Sequence, residues 1–194
     1  MTEATNIKFG IKAGVSSANN KWSDDVGDEK SITKPTFGAF AVFELSPTLA
    51  IQPEINFLVT GEWWDFTGGK EIENFTYLHI PILLKARLMK EGKFIPVVFA
   101  GPVISFLLSA TEEVELTDGT SDSFDAKEFY KSTDFGLDFG AGGEFALGKM
   151  KALIDLRYYM GLTNVYSAPP IMMAAPMEFT MKNAAFMLTA GIIF

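Results

Sequence analysis

His79 is the single histidine of this chain. A hydrolase or acyltransferase of the Ser-His or His-Asp kind would need it as general base, with Ser105 or Ser109 as the nucleophile to consider. No GxSxG or comparable motif accompanies them, so the expected role of His79 is that of a polar residue inside the fold or near a turn. The stretch "DFGLDFGAGG" contains a kinase-like DFG and a glycine cluster. Without a phosphate loop or catalytic-loop motif beside it, the triplet is coincidence, and glycines there relieve crowding on the inner face of a small barrel. The segment "ATEEVELTDGTSDSFDAKEF" offers Glu112, Glu113, Glu115, Asp118, Asp122 and Asp125, but not at EF-hand spacing, so a solvated acidic loop is expected and not a calcium site. With no Cys there is neither a disulfide framework nor a thiolate metal site, and no metal or cofactor is expected.

The remaining chemistry is a set of charges of both signs: Lys8, Lys12, Lys85, Arg87 and Arg157 with Glu44, Glu54, Asp138, Glu144 and Asp155. What positions them is a period of two. Ile7, Phe9, Ile11, Ala13 and Val15 alternate with Lys8, Gly10, Lys12 and Gly14, which describes a two-faced strand. The same alternation predicts strands near 36–46, 49–60, 75–89, 93–108, 134–147, about 150–160 and 183–194. The intervening stretches alternate too, long at 16–35, 61–74, 109–133 and 161–181, short at 46–48, 90–92 and near 148.

Eight antiparallel strands with tight turns at one end and long loops at the other form an up-and-down β-barrel of the kind that spans a bacterial outer membrane. The whole of 1–194 is taken as one such domain, with short periplasmic turns and long extracellular loops. "EEVEL" and "AKEFY" could form an extra hairpin and raise the count to ten; an extension of strands five and six beyond the membrane is expected instead. No run of 18 apolar residues exists, so a membrane-spanning helix is excluded. The net charge of −8 argues against nucleic-acid binding.

Which face points inward separates a membrane barrel from a soluble one. The apolar face is dominated by Phe, Leu and Ile, too bulky to fill an eight-stranded interior, whereas the polar face of Gly, Ala, Asn and paired charges suits a narrow lumen. The ten charges above are therefore predicted to form a salt-bridge network inside the barrel, because unpaired buried charge is costly. Trp63, Trp64, Phe66, Tyr77, Tyr158, Tyr159 and Tyr166 are read as an aromatic girdle, and Phe194 is placed at the interface, where an aromatic ring is favourable. Met-rich "SAPPIMMAAPMEFTM", with Pro169, Met172, Met173 and Met177, is a candidate partner loop or lid, or else a loop collapsed on the rim or dipping into lipid.

In order along the chain, "IKFGIKAGVSSAN", "LAIQPEINFLVTG", "YLHIPILLKARL", "FAGPVISFLLSA", "DFGLDFGAGGEF" and "DLRYYMGLTNV" resemble the PorT-like outer-membrane β-barrel family of Bacteroidetes, labelled porin family proteins and OmpA-like in build. The resemblance implies an eight-stranded barrel, export with a cleaved signal peptide, and insertion by the assembly machinery that reads a terminal aromatic strand such as "MLTAGIIF". It implies no defined activity, although a few members resemble accessory parts of secretion or gliding machinery. The start "MTEATNIKFG" lacks a signal peptide; either the protein is cytoplasmic or the export segment has been removed and Met1 restored, and the resemblance favours removal.

The expected function is that of a non-enzymatic structural or interaction protein, its interior filled and without general porin conductance, that contacts membrane lipid and engages another envelope protein through its loops. The alternatives are a soluble lipocalin-like barrel with Phe-rich strands inside around a lipophile, and an outer-membrane lipid-modifying enzyme using His79.

Overall fold

In the computed structural model, which describes residues 7–22, 30–167 and 180–194, the chain forms a closed ring of eight long antiparallel strands. They are β1 (Ile7–Trp22), β2 (Lys30–Ser46), β3 (Leu49–Phe66), β4 (Gly69–Arg87), β5 (Phe94–Leu116), β7 (Thr133–Leu147), β8 (Met150–Gly161) and β9 (Met181–Ile193). A ninth, short strand, β6 (Ser121–Asp125), pairs only with the outer part of β5. Each ring strand pairs with its sequence neighbour, and the ring closes where β1 meets β9.

Closure leaves none of the eight ring strands at an open edge, the condition for burying a sheet in hydrocarbon. The alternation then sorts side chains by face. Phe9, Phe139 and Phe186 are 56%, 44% and 58% exposed, while Glu54 and Arg157 are 2% and 3% exposed. This is the inverse of the soluble alternative, in which the rings would converge inside.

Turn chemistry sets the short end. Ser46 Oγ accepts from the backbone N–H of Leu49 at 3.0 Å, closing the β2–β3 turn, and Gly148 supplies the left-handed φ of +63° that the β7–β8 turn requires.

The far end differs from the sequence expectation. Residues 61–74 are not a loop: β3 and β4 run through them to a two-residue turn at Thr67 and Gly68. Likewise β5 continues to Leu116 and folds back as β6, so "EEVEL" is strand, whereas "AKEFY" holds a 3-10 turn at Lys127–Phe129. A spanning strand needs about 9–11 residues. With 18, 19 and 23 residues, β3, β4 and β5 project well past that length. Their outward residues change character accordingly, from Ile55, Ile82 and Phe106 in the belt to Asp65, Lys70, Asn74 and Glu113 beyond it.

Candidate functional site

The lumen is the only place where this fold gathers reactive groups among the described residues, and it does so in tiers. Nearest the tight turns, Glu144 on β7 is the hub. It receives Lys85 Nζ at 2.9 Å, Arg87 Nε at 3.1 Å and Lys151 Nζ at 2.9 Å. Arg87 also grips Glu44, which in turn pairs with Lys8 at 3.2 Å. At mid-height the hub is Glu54. Arg157 donates to it from Nη1 at 2.8 Å and Nη2 at 2.9 Å, and Lys12 Nζ from 2.6 Å. Arg157 Nη1 bridges onward to Asp138 at 3.0 Å.

Gln52 joins the two hubs, accepting from Lys85 Nζ at 3.2 Å and donating to Glu54 at 2.7 Å, so nine of the ten expected lumen charges lie in one connected set. Asp155 is the departure: it is 1% exposed, and neither of its carboxylate oxygens has a hydrogen-bond partner. Alternation assigns a residue to a face, but cross-lumen partnering depends on strand stagger, which the pattern does not encode.

Asp138 also meets His79. Its Oδ2 lies 3.2 Å from His79 Nε2, and Ser105 Oγ lies 2.9 Å from Nδ1. A carboxylate only accepts, so the ring gives Nε2–H to Asp138, while Nδ1 shares a hydrogen bond with the Ser105 hydroxyl. The order Ser-His-Asp is that of an acyl-transfer relay. All three residues are 1% exposed or less, with the Tyr159 ring edge-on to the imidazole at 4.7 Å. As built, no substrate carbonyl reaches Ser105, and the chain fills the lumen. Ser109 is exposed on the far stretch of β5 and is not part of it.

The next tier was not legible as a group. Asp134 accepts from Tyr159 Oη at 2.6 Å, from Thr163 Oγ1, and from Asn183 Nδ2 at 2.8 Å. Asn183 also donates to Tyr77 Oη at 3.1 Å and accepts from Thr60 at 3.0 Å. Tyr77 therefore corrects the girdle reading. It is 1% exposed and faces the lumen, as does Tyr159, because each lies an even number of residues from an inward position such as His79 or Arg157. Trp64 is corrected likewise: it is half-buried and shares the inner face with Glu62 and Glu54.

Other aromatics do face outward. Tyr158 packs between Phe139 and Phe186 at 5.4 and 4.7 Å, and Trp63 lies under the Lys30 ammonium at 4.3 Å. Phe194 is 62% exposed at the turn end, and its N–H donates to Phe9 at 2.9 Å. Phe66 is exposed at its turn; Tyr166 packs against Tyr130 in an apolar cluster with Phe75 and Leu107 at the loop end. Pro169, Met172, Met173 and Met177 lie outside the described residues.

The outermost tier is acidic. Glu62, Glu73 and Glu112 stand opposite one another in register on β3, β4 and β5. All three lie beyond the apolar belt. Burial, reinforced by Glu62 and Glu112, pushes the Glu73 carboxyl up to about 8, while Tyr130 Oη donates to it at 3.1 Å and opposes the shift. Glu112, partly desolvated beside Glu71, is also raised. The stretch "GEWWDFTGGKEIEN" shows no clean apolar/polar alternation, since Trp63 and Trp64 are adjacent, and its Gly, Asp and Thr suggest a loop, so these strands carry little local signal.

The sequence matches the outer membrane protein beta-barrel domain family over residues 2–167. No curated protein is similar in sequence. Among solved structures, Neisserial surface protein A (NspA) superposes with a TM-score of 0.55 at 13% identity, covering 95% of this chain and 95% of its own. OprG from Pseudomonas aeruginosa gives 0.54 at 13% identity, covering 98% of this chain and 97% of that one. These likenesses show the fold alone.

The outer membrane protease OmpT from Escherichia coli is also similar, with a TM-score of 0.47 at 10% identity over 97% of this chain and 96% of that one. This finding stands against the expectation of a non-enzymatic chain, which rested on the lack of a GxSxG or comparable motif around His79. A likeness of this degree assigns no reaction to this chain.

Proposed function

This chain belongs to the outer membrane protein beta-barrel domain family, is a small eight-stranded barrel of the bacterial outer membrane, and from that premise we propose that it acts as a structural or interaction protein through its extracellular end. One observation carries the reading. Arg157 on β8 reaches Glu54 on β3, which stands four strands away in either direction around the ring. That pair crosses the full width of the lumen at mid-height, and the Glu144 hub fills it below. An eight-stranded interior is just wide enough for such side chains, so the barrel carries no general solute flux. What remains to present to the surroundings is the projecting part of β3, β4, β5 and β6.

The resemblance of the six strand segments to PorT-like barrels of Bacteroidetes supports a narrower version, an accessory subunit of an envelope machine. Insertion would use the assembly machinery that reads the terminal aromatic strand. The Met-rich stretch at 167–181, most of which lies outside the described residues, is a second candidate partner segment, since flexible thioethers adapt to different contacts.

The test places a photo-crosslinking residue at Asp118, at the tip of the β5–β6 hairpin, and at Lys90, in the β4–β5 turn, in cells. A discrete adduct with an envelope protein from position 118 and none from position 90 supports the reading. Adducts only from position 90, or none from either, contradict it.

A further inference from the structure

The lysines on the outside of the barrel's extracellular end are of two kinds. Lys30 pairs with Asp65 at 2.7 Å and Lys70 with Glu115 at 2.9 Å, so a neighbouring strand answers each charge. Lys21 on β1 and Lys182 on β9 differ. They stand directly opposite one another in the β1–β9 ladder. Lys182 lies between buried Met181 and buried Asn183, and Lys21 follows buried Asn20, so both side chains leave the barrel on its outer face. Neither enters an ion pair among the described residues. Like charges directly opposite across strands repel, and an anion set between them turns that repulsion into attraction.

The height of this pair is fixed by an aromatic ring. The Lys21 side chain crosses β9 and places its ammonium 5.8 Å from the centre of the Tyr158 ring on β8. Tyr158 packs in turn on Phe186 and Phe139 at 4.7 and 5.4 Å, in the upper part of the apolar belt. A lysine that brings its charge to a tyrosine at the edge of the belt holds it at headgroup level. Lys182 lies four residues above Phe186 on the same outward column.

Lower on the same two strands the belt is hollowed. Ala13 on β1 and Ala190 on β9 are direct partners, and Ala39 on β2, opposite Ile11, lies diagonal to Ala13. With Ile11, Ile192 and Phe57 around them, these alanines border a hollow of about 910 Å³ in the outer surface. Phe186 and Ala190 are four residues apart, about 13 Å along a strand. That is within the roughly 15 Å depth of one leaflet's hydrocarbon. A chain that starts at the level of Tyr158 therefore ends in the hollow. A free anion or an acidic peptide would use the lysines alone, whereas the hollow lies in hydrocarbon and takes only an apolar occupant. One amphipathic molecule fits both.

We infer that the outer face of the β8–β9–β1 seam is a binding site for one phosphate-bearing, acylated lipid of the extracellular leaflet, its phosphate between the Lys21 and Lys182 ammonium groups and one acyl chain running down the seam into the hollow at Ala13, Ala39 and Ala190.

The test is native mass spectrometry of the folded full chain, released from a neutral detergent and titrated with dimyristoyl phosphatidic acid. Saturable binding of a single lipid is expected. The double variant Lys21→Gln with Lys182→Gln should weaken it roughly tenfold or more, because each lysine near a membrane surface attracts anionic lipid. Ala190→Phe, which fills the hollow and leaves both lysines in place, should weaken it about threefold or more. Lys70→Gln, on the outer face of another strand, should leave it unchanged. Circular dichroism checks that each variant keeps its fold. Undiminished affinity in the double lysine variant or in Ala190→Phe would overturn the inference. So would dimyristoylglycerol, which has the chains and no phosphate, binding as tightly, or displacement of the lipid by inorganic phosphate or by a polyglutamate peptide at equal concentration.

Discussion

Arg157 and Glu54, 103 residues apart in sequence, meet through two nitrogens and two oxygens at 2.8 and 2.9 Å, and neither is more than 3% exposed. Bidentate geometry and near-complete burial make this pair the strut of the barrel interior. Removing one partner strands the other as a buried charge. Glu54→Ala is expected to cost about 3–5 kcal/mol. The double variant Glu54→Leu with Arg157→Met should recover most of that loss. Urea unfolding in lipid vesicles, followed by tryptophan fluorescence, measures both; a double variant no more stable than the single one contradicts the account.

The two adjacent tyrosines Tyr158 and Tyr159 should respond differently to the loss of a hydroxyl. Tyr159 Oη donates to Asp134 at 2.6 Å inside the lumen, whereas Tyr158 packs its ring outside against Phe186 at 4.7 Å. Tyr159→Phe leaves a buried carboxylate short of a donor and is expected to lose about 1–3 kcal/mol. Tyr158→Phe keeps its ring contacts and should be nearly neutral. Equal effects in the same unfolding assay would be evidence against opposite facing.

How much of this was legible in the sequence depends on the question. The faces of Arg157, Glu54, Phe9 and Phe186 follow from a period of two alone, because a closed sheet with one apolar face has a single way to lie in lipid. Tyr77 and Trp64 are positions where residue type and parity conflict: an aromatic near a strand end suggests an interface, but its even spacing from inward positions places it on the inner face. Glu62 and Glu73 were hidden because Gly61, Asp65, Thr67 and Gly68 resemble a loop, although the strands continue through them to Gly68, whose φ is +107°. Partner choice, including the stranding of Asp155, depends on the stagger between strands and has no local signal.

The acidic row makes stability fall as pH rises. The folded-state value of Glu73 is raised to about 8 from 4.5, first by desolvation, then by Glu62 and Glu112, with Glu71 adding to it and Tyr130 opposing. Between those two values the folded protein holds a proton that the unfolded chain has lost. Its contribution is therefore fully present below about 4.5 and is lost as pH rises through about 8. Glu73→Gln should flatten the slope of unfolding free energy across that window. A wild-type stability that rises from pH 5 to 8 contradicts this.

A filled lumen should also be electrically silent. Purified protein in planar bilayers is expected to give no stable conductance steps in wild type. Replacing the mid-height plug by Glu54→Gly with Arg157→Gly should introduce them. Regular steps in wild type would show a continuous aqueous path past Arg157, contrary to its observed contacts.

The central claim, that charges line the axis and rings meet acyl chains, is tested most directly along β9. Because the chain has no cysteine, single cysteines can be placed at each position from 184 to 192 and spin-labelled in lipid vesicles. Collision with oxygen, which partitions into hydrocarbon, should peak at 186, 188, 190 and 192 and fall at 185, 187, 189 and 191. The opposite phase, or no two-residue period, would contradict the account.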